Sequence, residues 1–225
     1  MQDKMMKVEF NKNPNIGLFC FATDKYCVFN KFGNPKDKSL LRNVLKVRVI
    51  DGTALGTSLV GIFMCGNSNG VIISNRLYDE EIEEIKESLN VLILKTTYTA
   101  IGNLMLCNDK GCIISKKLSK FTKEIEDFLA VPVKIGDIGG SDLVGSLAVC
   151  TNSGCAISKI AKEEEIRVIE NVLNVRVMKA SVNFGSIWIK SGIVANSNGF
   201  LIGKESTGAE MGNVAEALGF LNKEI

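Results

Sequence analysis

The turn Asn67-Ser68-Asn69-Gly70 returns along the chain as Asn108-Asp109-Lys110-Gly111, Thr151-Asn152-Ser153-Gly154 and Asn196-Ser197-Asn198-Gly199. The closing glycines are 41, 43 and 45 residues apart, and Gly61, Gly102 and Gly145 each precede one of them by nine residues. In the last copy that leading position holds Lys190 instead. A further copy begins at Gly17 and passes through Thr23-Asp24-Lys25 to Tyr26. A period near 40 residues is the mark of a repeat architecture. The chain is therefore read as five units, at about 11–50, 51–95, 96–136, 137–180 and 181–225, within one domain.

Between the leading glycine and the turn the residues are small and apolar: Phe19 to Ala22, Phe63 to Cys65, Leu104 to Cys107, Leu147 to Cys150 and Ile193 to Ala195. Such a run, ending in Asn or Asp and then Gly, predicts a strand covered on both faces that enters a hairpin. A second strand follows, as in Val71-Ile72-Ile73-Ser74 and Cys112-Ile113-Ile114-Ser115. An amphipathic helix comes next, with Ile82, Ile85 and Leu89 on one face, then Ile125, Phe128 and Leu129, then Ile166, Ile169 and Leu173, and last Val214, Ala217 and Leu218. Acidic first turns at Asp79-Glu80-Glu81 and Glu163-Glu164-Glu165 suit the positive end of a helix dipole. A third strand is predicted from Leu45, Leu89, Leu129 and Leu173, in the rhythm of Leu173-Asn174-Val175-Arg176-Val177. The last unit lacks one, while Lys7-Val8-Glu9-Phe10 alternates like a strand before the first hairpin. Pairing that segment with the fifth unit would close the ring and remove its open sheet edges. The expected fold is α/β, five strand-strand-helix-strand units closed into a ring. A five-bladed WD propeller has a similar period, but its blades carry no helix and its Trp-Asp signature is absent.

Composition narrows the function. With 46% hydrophobic and 23% charged residues the chain is a folded protein. A net charge of +2 argues against binding dominated by phosphate neutralisation. No apolar run reaches the roughly 20 residues of a membrane span and no signal-peptide core is present, so a cytoplasmic protein is expected. Seven cysteines, an odd and evenly spread number, read as reduced thiols. There is no histidine, which removes Cys/His and Ser/His nucleophilic machinery and histidine metal sites. Cys107-x4-Cys112 and Cys150-x4-Cys155 have the look of a four-thiolate zinc site, yet Cys112 and Cys155 align with Cys27, Val71 and Phe200, which marks an apolar strand position. No metal and no cofactor are expected.

Taken together, the five units, the G-x8-G hairpins, the lack of histidine and the final Ser206-Thr207-Gly208-Ala209-Glu210 resemble the translation initiation factor 6 family. The likeness spans the chain and is most specific at Ala100-Ile101-Gly102-Asn103-Leu104, Leu143-Val144-Gly145-Ser146-Leu147 and Ala195-Asn196-Ser197-Asn198-Gly199. It is that of an archaeal-type member, since the sequence stops just past the fifth helix, at Leu221-Asn222-Lys223-Glu224-Ile225. The resemblance implies the pentein fold, a five-fold pseudosymmetric β/α propeller. It also implies a monomer that binds the large ribosomal subunit, at ribosomal protein near the sarcin-ricin loop with room for rRNA contact. Such a factor keeps the small subunit away and takes part in large-subunit maturation. The runner-up is a pentein enzyme acting on guanidino compounds, which needs a histidine base that this chain lacks. No catalytic residue is therefore expected.

A symmetric scaffold that binds an asymmetric partner must differ among its copies on the contact surface. The residue after the leading glycine is Leu18, Ile62, Asn103, Ser146 and, by position, Ser191. Asn103, with Ile62, Ser146 and the polar loop residues Thr57 and Ser58, is the expected ribosome-facing rim. Asn108 and Asp109 join the candidates, although turn geometry alone favours Asn and Asp there. Trp188 is expected in the core. Lys190 implies either that a positive φ is dispensable in the last unit or that a shifted strand lets Gly192 take over.

Overall fold

The computed structural model describes residues 4–221. Met5–Val8 (β1) opens it. The first sheet joins Cys20–Ala22 (β2), Tyr26–Asn30 (β3) and Arg48–Gly52 (β4), and the second Cys65–Asn67 (β5), Gly70–Ser74 (β6) and Val91–Leu94 (β7). The third holds Met105–Cys107 (β8), Cys112–Ile114 (β9) and Val133–Ile135 (β10), and the fourth Ala148–Cys150 (β11), Cys155–Ser158 (β12) and Val177–Ala180 (β13). Ile193–Asn196 (β14) and Gly199–Gly203 (β15) make the fifth with β1. In each, the hairpin is antiparallel and the third strand runs parallel to the second. A parallel pair needs a crossover; helices Pro35–Leu45, Asp79–Lys86, Thr122–Leu129 and Glu163–Leu173 supply it in the first four units. In the fifth, β1 pairs in parallel with β15, Met5 opposite Phe200 and Val8 opposite Gly203. The closing strand thus lies at Met5–Val8 rather than Lys7–Phe10, because Phe10 turns back to bridge Asn13.

Two expected elements shift. The apolar run after each leading glycine is not one strand. It divides into a helical turn, as at Val60–Phe63, Ile101–Leu104, Val144–Leu147 and Ile189–Gly192, and a strand of three or four residues. Leu45, Leu129 and Leu173 are the last residues of helices rather than the first of strands, and Leu89 lies just beyond its helix. Lys46, Ala130 and Asn174 follow those three in the left-handed conformation that ends a helix, with φ of 55°, 54° and 48°. Lys and Ala give no warning of that role, which belongs more often to Gly.

Each helix packs between its own sheet and the preceding one. Ile125 and Leu129 pack with Ile72 and Leu94 of the second sheet, and Ile166, Ile169 and Leu173 with Leu106 and Ile113 of the third. Val214, Ala217 and Leu218 pack with Ala156 and Ala180 of the fourth, and Ile82 and Ile85 with Tyr26 and Val28 of the first. Leu41, Val44 and Leu45 of the first helix meet Val194 and Leu201 of the fifth sheet. Every apolar helix stripe is thereby covered twice.

The leading glycines serve close approach, not positive φ. A Cβ on Gly61 would lie 2.0 Å from the carbonyl oxygen of Gly17, one on Gly102 2.5 Å from that of Gly61, and one on Gly145 2.2 Å from that of Gly102. A Cβ on Gly17 would lie 1.8 Å from the carbonyl oxygen of Lys190. Lys190 stands in the glycine position itself. The register is unshifted, with Asn196 opposite Gly199 as Asn67 is opposite Gly70, so Gly192 does not take over. The turn asparagines stitch neighbours at the other end. Asn67 Nδ2 donates to the carbonyls of Asn108 and Leu129, Asn108 Nδ2 to those of Thr151 and Leu173, and Asn196 Nδ2 to those of Thr23 and Leu45. Tyr26 Oη donates to the carbonyl of Asn67.

Candidate functional site

The four helical turns above and the shorter one at Ile16–Leu18 bring the residues that follow the leading position to one depression of about 140 Å³. Leu18, Ile62, Asn103, Ser146 and Ser191 line it together with Trp188 and Lys190. Ile62, Asn103 and Ser146 are thus brought together, each half-buried. Trp188 is not in the core. It is 43% exposed on the rim, because the loop before it leaves the sheet and the apolar position of that turn is filled by Ile189.

Thr57 and Ser58 lie in the loop that leads into the Val60–Phe63 turn, outside the residues lining the depression. Thr57 Oγ1 donates to the Ala54 carbonyl at 2.8 Å, and Leu55 and Gly56 carry the turn with φ of 53° and 70°. The carboxylate of Glu81 holds that turn, accepting from the N–H of Leu55 and of Gly56 at 2.8 Å and from Tyr78 at 3.1 Å. Glu210 does the same for Phe184, Gly185 and Thr207, and Glu165 for Gly139 and Lys162. In three of the five units the acidic first turn therefore ties a rim loop to a helix start, as well as facing the dipole. Burial pushes the Glu210 carboxyl up, but the N–H groups of Thr207 and Gly185 and the hydroxyl of Ser181 outweigh it and hold the group below the ordinary range.

Lys190 closes the depression from below. Its Nζ donates to the Gly102 carbonyl at 2.6 Å, and its stem borders both the depression and an inner cavity of about 60 Å³ walled by Cys20, Cys65, Cys107, Cys150, Met105 and aliphatic side chains. Burial pulls the Lys190 ammonium below the usual lysine range, against the pull of the nearby Cys65 and Cys107 thiols. Lysine rather than glycine at this one position supplies a hydrogen-bonded stopper that four glycines cannot.

Asn108 and Asp109 lie past the other end of β8 from Asn103, beyond Leu104 and three strand residues that span roughly 10 Å, and line a second cavity that shares Cys107 and Cys150 with the first. The second residues of the five turns meet there. Asp109 accepts from the Ser68 N–H and hydroxyl and from Asn152 Nδ2, while Asp24 accepts from the same Asn152 amide and from the Ser197 N–H, all within 2.8 Å. Asp109 stays exposed at the surface of this network. Asn108 is 6% exposed, and its amide is engaged by Thr151, Leu173, Lys110 and Gly111. Its side chain holds two units together and has no free donor to offer.

Cys107 and Cys112 face each other across one hairpin, as do Cys150 and Cys155. Among the described residues no three of His, Cys, Asp and Glu are grouped to hold a metal ion, and no helix is long and apolar enough to cross a membrane.

The fold and the two polar ends define a mixed α/β protein of five like units, with like positions gathered at each end and filled by different residues. A family model described as the eIF-6 family matches residues 5–217. Translation initiation factor 6 of Thermococcus onnurineus (strain NA1) is 35% identical over 224 residues, covering 96% of this chain and 98% of that protein. Its counterpart in Methanocaldococcus jannaschii is 34% identical over 220 residues (94% and 96%), and that in Archaeoglobus fulgidus 36% identical over 214 residues (95% and 99%). The chain belongs to the eIF-6 family, and membership supports a role as a translation factor.

Proposed function

We propose that the five units form the closed, five-fold pseudosymmetric ring of the pentein fold, a single domain over 1–225 that acts as a monomer in the cytoplasm. In this reading the protein binds the large ribosomal subunit, blocks joining of the small one by bulk alone and takes part in large-subunit maturation. The observation that carries the site assignment is the gathering of Leu18, Ile62, Asn103, Ser146 and Ser191 in one depression. A five-fold scaffold presents an asymmetric partner with a readable pattern only where its copies differ, and here they differ from apolar to amide to hydroxyl. Trp188 at the edge adds the kind of aromatic anchor that interfaces favour. The partner surface is ribosomal protein near the sarcin-ricin loop, with rRNA contact secondary, since a net charge of +2 gives little capacity for phosphate-driven binding. Steric exclusion needs no base, nucleophile, metal or cofactor, and the effect scales with occupancy and is independent of nucleotide.

Co-sedimentation with isolated large and small subunits tests this. The expected result is stoichiometric binding to the large subunit and loss of subunit joining in proportion to occupancy. Binding to the small subunit alone, or to neither, refutes the proposal.

A further inference from the structure

Strands β8 and β9 place Cys107 directly opposite Cys112, with their sulfur atoms 2.6 Å apart. The Asn108 N–H donates across the hairpin to the Gly111 carbonyl, whereas the Cys112 N–H donates sideways to the Pro132 carbonyl. Cys107 and Cys112 are therefore the non-hydrogen-bonded kind of antiparallel pair, in which Cα atoms approach to about 4.5 Å. That separation lies within the range a disulfide spans without moving the backbone. The two thiols differ in access. Cys112 is fully buried, while Cys107 is partly exposed and borders both the inner cavity and the polar hairpin end.

We propose that Cys107 and Cys112 are a thiol–disulfide exchange site, at which a small uncharged organic disulfide converts the pair into an intramolecular cross-strand disulfide. Cys107, as thiolate, attacks one sulfur of the reagent; a mixed disulfide forms and the first small thiolate leaves, taking up the proton that Cys107 gave to solvent. Cys112, as thiolate, then attacks the Cys107 sulfur; the mixed bond breaks and the second small thiol leaves with the second proton. The pair loses two electrons and two protons, and the reagent gains both as two thiols. A small uncharged reagent suits the site, because Cys107 is only partly exposed and borders a cavity walled largely by apolar side chains. Burial pushes both thiols above their ordinary range, so the thiolate fraction is small and exchange is slow. The new bond would staple the hairpin and take from Cys65 the thiol at 3.7 Å to which it now donates.

Cys150 and Cys155 repeat the register one unit on, and the Cys150 thiol donates to the Thr151 carbonyl at 3.2 Å. They serve as the internal comparison. The native protein is incubated with 2-hydroxyethyl disulfide, acid-quenched, alkylated and digested with trypsin, which cuts after Lys110 and separates the two cysteines. The expected product is a cross-link between peptides 96–110 and 111–116. Cys112→Val places there the residue that Val71 provides in the second unit, and it should stop the reaction at a mixed disulfide on Cys107. Seven alkylatable thiols in the treated wild type, a mixed disulfide on wild-type Cys107 that never closes, or a cross-link confined to Cys150 and Cys155 would each overturn the proposal.

Discussion

Replacing Gly61 by alanine should be among the most damaging single changes in the chain, although it adds one methyl group and removes nothing. The new Cβ would stand 2.0 Å from the Gly17 carbonyl oxygen and 2.6 Å from that of Cys20, both backbone atoms with no side-chain freedom to yield. A carbon and an oxygen rest comfortably more than 3 Å apart, so the first two units must separate by about an ångström where they touch. Such overpacking costs typically 1–3 kcal/mol and more when the opposing atoms are fixed; we expect about 3 kcal/mol. For a protein of this size that is a fall of roughly 6–12 °C in melting temperature. Gly208→Ala is the matched control, because it opens a helix with nothing within 4 Å of its Cβ. It should be neutral or raise stability by about 0.4–1 kcal/mol through the unfolded chain. Thermal melts by circular dichroism on both variants settle the matter. If Gly61→Ala melts within about 2 °C of wild type, the units do not meet through their leading glycines and the packing argument fails.

Asn103→Arg should weaken large-subunit binding while shifting stability by no more than about 0.5 kcal/mol, since the side chain is half-buried at a rim; unchanged blocking of subunit joining at the wild-type concentration would place the interface elsewhere. Asn108→Ala should cost about 2–3 kcal/mol in urea unfolding, because the carbonyls of Thr151 and Leu173 lose their donor; a loss below about 0.5 kcal/mol would remove its structural role. Glu210 has a lowered folded pKa, so the stability it contributes is full above its unfolded value near 4.3 and fades as pH falls through the folded value. Glu210→Gln should therefore be less stable than wild type at pH 7 and approach it as the pH falls through the folded value, and a gap that persists once the carboxyl is protonated in both states contradicts the sign. Removing residues 1–10 takes away β1 and leaves β15 unpaired on one side, so aggregation or a large drop in melting temperature should follow; a truncated chain that melts like the whole one would show that β1 is dispensable.

The five-unit count, the hairpin positions and the pairing of the N-terminal segment with the last unit were legible in the sequence, because turn chemistry at Asn-x-x-Gly is local and repeats. The helical turn at Val60–Phe63 and its counterparts were not, since four apolar residues have no period to distinguish a turn of helix from a strand. The first helix, Pro35–Leu45, also carries a local signal: Asn34 accepts from the Lys36 N–H and proline stands in the first turn. At the site, variation among copies pointed to Asn103, Ile62 and Ser146, and the fold gathers those three at one depression. It could not show that Asn108 belongs to the opposite end, because a three-residue strand reads the same whichever end is functional. Nor could it show that Trp188 is exposed, as an isolated indole in an apolar stretch carries no sign of direction.

The pairing of β1 with β15 has a consequence for synthesis. Strand β1 at Met5–Val8 is made long before its partner at Gly199–Gly203, so the fifth sheet stays incomplete until that later stretch has been synthesised. The first helix waits as well, because Val194 and Leu201 cover part of its apolar stripe. A chain cut short before Ile189–Gly192 would lack Lys190, Ser191 and the partner strand of β1 together. Assembly of the site is thus tied to chain length: a product that stops before Ser191 cannot present the five-residue depression.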